Sequence, residues 1–271
     1  MDRNEGCCRR DVAAQHAAPL RCATIWLARR RFGTDRRPFF FYSAPVHFLR
    51  CVLAEWSLVR PRLLRTRFGA CLLLLGAALV WLGNRGADPL AVALHAGALG
   101  GVLGAAFAAG SSADRAAFAI ALAHPTTPFA VACGRWLSAV IPAAGLTIAC
   151  TALVGWQTGA AAAGLAAAAA VAGCALAAVL VAGTGAALVL FLCMALAGAV
   201  PPETIVGVAE PGAARLAVAS VLELGPALWR YREVATGDPG AVLHAATWAA
   251  LGVVLASGLV RRRAQSAPKS K

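Results

Sequence analysis

Between Trp136 and Pro202 the chain runs for 67 residues without one Asp, Glu, Lys or Arg. At 1.5 Å of rise per residue such a run is about 100 Å of helix, some three times the ~30 Å hydrocarbon core of a bilayer. A single soluble core in a chain of 271 residues does not hide it, because a globule of that size has to cover itself with polar surface. The rest of the composition agrees: hydrophobic residues make up 60% and charged residues 14%, against roughly 25% charge in soluble domains. Disorder, collagen and a disulfide-stapled secreted fold are excluded on the same grounds. What remains is an all-α, polytopic helical membrane protein.

Uncharged runs and breakers place the crossings. The 67-residue run is expected to divide near Trp156-Gln157-Thr158 and again near Gly183-Thr184-Gly185. Adding the flanking runs gives six transmembrane helices, at about 68–84, 89–110, 136–156, 159–179, 183–200 and 240–260. Ala116–Gly134 is uncharged too but is not counted. Pro125 and Pro128 interrupt it, and the residue before a proline is driven out of the α region.

The net charge of +13 raises the question of nucleic acid, and its distribution answers it. Residues 1–67 carry 14 basic residues and residues 261–271 carry five, whereas only six lie between Phe68 and Val260. Basic ends around apolar runs are the positive-inside signature of membrane topology, not a nucleic-acid surface. With both termini inside (N-in/C-in), 21 basic residues fall on the cytoplasmic side and four outside. The expected location is the cytoplasmic (plasma or inner) membrane. Residues 1–44 have no 7–15-residue apolar core of a secretory signal. They are expected to be a basic, disordered cytoplasmic arm, with 45–263 the transmembrane domain and 264–271 a basic cytoplasmic tail.

Trp81, Trp136, Trp156 and Trp248 fall near span ends, where either an interfacial belt or ordinary packing places tryptophan. Gly97-xxx-Gly101 and Gly100-xxx-Gly104 are small-residue contacts, expected to pack helices within the chain rather than to join two copies.

Reaction chemistry is scarce. The nine cysteines include no C-x-x-C pair, and those within spans read as small hydrophobes. No metal or cofactor is expected. The only lysines are Lys269 and Lys271, so a G-x-x-x-x-G-K-[ST] phosphate loop is impossible and the chain is not expected to be an enzyme. Only His95 and His244 offer titratable groups within spans, read first as hydrogen-bonded packing residues and second as a proton relay.

Two amphipathic pieces remain. From Pro45 to Arg60, Phe48, Leu49, Val52, Leu53, Trp56 and Val59 share one face at 100° per residue, and His47, Arg50, Ala54 and Ser57 the other. This is an interfacial helix lying in the headgroups, with Arg50, Trp56, Arg60, Arg62, Arg65 and Arg67 at the membrane surface. The second piece follows the second span. Ser111 and Asp114 start a short Ala-rich helix that His124-Pro125 closes. Thr126 or Thr127 then starts another, which runs through Gly134-Arg135-Trp136 into the third span.

The order Leu122-x-His124-Pro125, then Thr126 or Thr127, then Gly134-Arg135 resembles the cytoplasmic loop of type-2 ABC-transporter permeases. That loop carries L-x-x-P-[VL]-[ST]…G-[KR] between the second and third spans. The layout is similar as well: an N-terminal elbow helix, six spans and a longer outer loop before the last. The resemblance implies a permease subunit without bound cofactor, ATP being held by a separate cytoplasmic ABC ATPase. It also implies a second permease chain (a homodimer or heterodimer), contact with membrane lipid, and export of a substrate. The coupling-loop residues it implies are Asp114, Arg115, Phe118, Leu122, His124, Pro125 and Arg135. In that family short helices dip back from the outer loop, and Ile205–Ala209 and Ala213–Leu224 are the matching pieces. The other readings are a lipid-processing membrane enzyme using Asp114-Arg115, for which no cluster of Asp exists, and a membrane assembly factor.

Overall fold

The structure, a computed structural model, describes residues 44–65, 67–109, 126–189, 191, 212–213 and 225–265, with only the backbone of 44, 61–65 and 264–265. The fold is all-α, with no strand among the described residues. Its helices are α1 (Ala44–Arg65), α2 (Phe68–Asn84), α3 (Pro89–Ala109), α4 (Pro128–Val154), α5 (Thr158–Ala182), α6 (Leu228–Tyr231) and α7 (Pro239–Gln265), with a 3-10 turn at Arg232–Thr236. Four of them, α3, α4, α5 and α7, are long and apolar enough to cross a membrane. α2 has 17 residues, about 25 Å of helix against a ~30 Å core. A further helical stretch occupies 184–189. The span expected at 183–200 lies mostly outside the described residues.

Both expected division points are helix ends. α4 stops at Val154 and Gly155 caps it at φ +147°, while Gly183 caps α5 at φ +86°. Side chains disfavour that region and glycine does not. The helix entering the third span starts at Pro128, eight residues ahead of the expected crossing at Trp136. Thr127 is its N-cap, accepting from the Ala130 amide at 3.2 Å, and Pro128 takes the first turn, where a missing N–H costs nothing.

α3 is the axle of the bundle, and its glycines explain why. A Cβ at Gly97 would run into the Gly164 carbonyl of α5, and one at Gly101 would stand 3.0 Å from the Ala168 carbonyl of the same helix. At Gly104 it would stand 2.6 Å from the Ala139 carbonyl, and at Gly100 3.0 Å from the Ala143 Cα, both on α4. The two overlapping small-residue pairs therefore face two different helices. Both are spent on packing within the chain, where lipid supplies no hydrophobic drive and close backbone approach supplies the attraction. α7 closes on α5 in the same manner, Gly252 against Gly173. α2 packs outside α3 and α4, with Leu73 and Leu74 exposed.

Aspartates at the helix starts serve as caps. Asp88 accepts from the Leu90 amide at 3.0 Å and Asp238 from the Ala241 amide at 2.9 Å. Trp81 and Trp156 are exposed near helix ends. By contrast Trp136 and Trp248 are tied inside: the Trp136 Nε1 donates to the Ala169 carbonyl at 3.0 Å, and the Trp248 Nε1 donates to the His244 Nε2 at 3.1 Å.

Candidate functional site

α1 runs against the first half of α4. Val52, Glu55 and Val59, spaced three and four apart, are buried. Phe48, Leu49 and Leu53, assigned by the helical wheel to the same face as Val52 and Val59, are exposed instead. The apolar stripe is thus wider than the buried contact with α4, and Leu49 and Leu53 on its outer part are exposed. Phe48 stacks with Phe129 at 5.8 Å between ring centroids.

The inner part carries a charge. Glu55 is 7% exposed and Arg135, from α4, is 3% exposed. The Arg135 Nε donates to the Glu55 Oε1 at 2.9 Å, and one Nη donates to the carbonyls of Ala108 (3.3 Å) and Ala109 (2.9 Å). Both carbonyls belong to α3. One guanidinium therefore joins α1, α3 and α4. Gly134 makes the approach possible, because a Cβ there would stand 2.7 Å from the Glu55 Cβ and 2.9 Å from the Val52 carbonyl. The Gly-Arg of the sequence pattern thus acts as a packing notch followed by a buried bridge.

Of the other coupling-loop residues, Asp114, Arg115, Phe118, Leu122, His124 and Pro125 lie outside the described residues. Among the membrane-surface residues, Arg50, Arg60 and Arg67 are exposed and Trp56 is half-buried under the Arg60 guanidinium, 5.8 Å from its ring. The side chains of Arg62 and Arg65 lie outside the described residues. Glu55 was not among the residues singled out in the sequence, although a lone carboxylate between Val52 and Val59 is a visible signal.

At the other end Arg232 pairs with Asp88 at 2.5 Å, tying the segment before α7 to the start of α3. Both side chains are more than 40% exposed, so the pair is screened and contributes little. α6 reaches down beside α7. Tyr231 is fully buried, its ring 5.7 Å from that of His244, five residues or about 7.5 Å into α7. Of the dipping pieces expected earlier in this loop, Ile205–Ala209 lies outside the described residues and so does all of Ala213–Leu224 except Ala213. His95, half-buried in α3, has its Nδ1 2.7 Å from the Ala91 carbonyl, within its own helix. No group of three or more potential metal ligands occurs among the described residues. Comparison with family models, with curated proteins and with solved structures gives no match.

Proposed function

We propose that this chain is the membrane-spanning permease subunit of an ABC transporter in the plasma or inner membrane, working as an exporter. It pairs with a second permease chain and with cytoplasmic ATPase subunits that hold and hydrolyse the ATP. In this reading α2, α3, α4, α5, residues 183–200 and α7 are the six spans, both termini are cytoplasmic, and α1 is the elbow helix at the membrane surface.

The observation that carries the reading is the three-way junction at Arg135. A loop that receives a push from a partner is useful only if its end is fastened to elements that move together. Here the Gly134-Arg135 end of the pattern is fastened to α1 through Glu55 and to α3 through Ala108 and Ala109. Closure of the ATPase dimer against the 114–122 segment then displaces α1, α3 and α4 as a unit and opens the path between two permease chains.

The test is recovery of the ATPase with the tagged permease. Phe118→Ala is expected to weaken that association by about 1–2 kcal/mol, the loss of one aromatic anchor, at unchanged membrane expression. Equal recovery with wild type removes the support for this loop as the docking site. The purified chain alone is expected to show no ATP hydrolysis above background, and sustained turnover would sink the subunit reading.

A further inference from the structure

A groove of about 680 Å³ runs between α5, the 184–189 stretch and α7. Its walls are apolar, among them Ala178, Val181, Leu251, Leu255 and Gly258, and among the described residues the single charged one lining it is Arg262. That volume lies in the range of small-molecule sites, about 300–1,000 Å³. The wall along α7 extends from Trp248 to Arg262, some 21 Å of helix, whereas the acyl region of one leaflet is about 15 Å deep, half of a ~30 Å core. Arg262 therefore stands at headgroup level when the groove holds a chain of that length. It is exposed, with Arg261 exposed beside it, while Arg263 is turned inward and donates to the Leu180 carbonyl at 2.5 Å. That bond ties the ends of α5 and α7 and holds the groove mouth in shape.

We propose that this groove binds one anionic phospholipid, an acyl chain between α5 and α7 and the phosphate at Arg262. Length fixes the chain and charge fixes the headgroup. A zwitterionic lipid offers the same tail with no net charge for the arginines, and so binds less well. The proposal stands without the transport reading, since it needs only that α5 and α7 lie in a bilayer.

The full-length protein is extracted from vesicles holding equal amounts of palmitoyl-oleoyl phosphatidylglycerol and phosphatidylcholine, and the lipid retained is counted by native mass spectrometry. Wild type is expected to keep one phosphatidylglycerol per chain, favoured over phosphatidylcholine. Arg262→Gln is expected to lower that preference about fivefold, the factor one surface arginine supplies. Gly258→Phe fills the groove from a position where an added Cβ would meet nothing within 4 Å, and is expected to reduce retention of both lipids. Equal retention of the two headgroups by wild type overturns the proposal. So does a preference untouched by both groove variants, or retention of no lipid because a second copy or another part of the chain fills the groove.

Discussion

Among the described residues Arg135 meets three acceptors in its buried site, one carboxylate and two carbonyls of α3. Removing one member of a buried pair leaves the other uncompensated, which costs about 3–5 kcal/mol. Arg135→Ala is therefore expected to lower stability by that amount, read from the thermal unfolding of the detergent-solubilised protein. Arg135→Met combined with Glu55→Met is expected to recover most of it, because a well-packed apolar replacement of both partners is often neutral or better. A double variant as unstable as the single one would show that the pair itself, not the stranded charge, supplies the stability. Gly134-Arg135 was legible in the sequence as a pattern, but its meaning was not. Glu55 lies 80 positions away, and no local periodicity connects residues so far apart.

At the scale of elements, helix ends were more legible than helix contacts. Glycine and proline punctuate the backbone wherever they stand, so the breaks at Gly155 and Gly183 and the start at Thr127-Pro128 could be read locally. The crossing is expected from Trp136, just past the charge of Arg135, while α4 itself begins eight residues earlier and buries Arg135 inside the protein. Which glycine meets which helix depends on how α3 is rotated against its neighbours, and a pattern rich in Gly and Ala leaves that open. The contacts make a direct test. Gly97→Ala drives a methyl into the Gly164 backbone and is expected to cost about 1–3 kcal/mol, as overpacking does. Gly145→Ala enters open space on α4 and is expected to be neutral or stabilising by up to about 1 kcal/mol, through helix propensity alone. Equal melting shifts for the two would mean that α3 and α5 are not in this register.

For the molecule as a whole, topology is the property that the charge distribution addresses most directly. α7 has 27 residues, about 40 Å of helix, enough to separate the two sides of a ~30 Å core. Single cysteines at Thr236 and Ser266 in a cysteine-free background are therefore expected to label oppositely with an impermeant maleimide in intact cells, Thr236 reacting and Ser266 protected. Equal labelling would overturn the six-span reading. The seam along α3 has a thermodynamic consequence of its own. Each Leu or Ile gives up about 0.5–1 kcal/mol of rotamer freedom on burial and a Met up to ~2, whereas Gly and Ala have none to lose. Gly97, Gly101 and Gly104 meet Gly164, Ala168 and Ala139 across that seam, so it closes almost free of side-chain entropy and is held by dispersion between backbones. Along that seam main chain rests on main chain, and the residues that meet there have no side-chain rotamers to freeze.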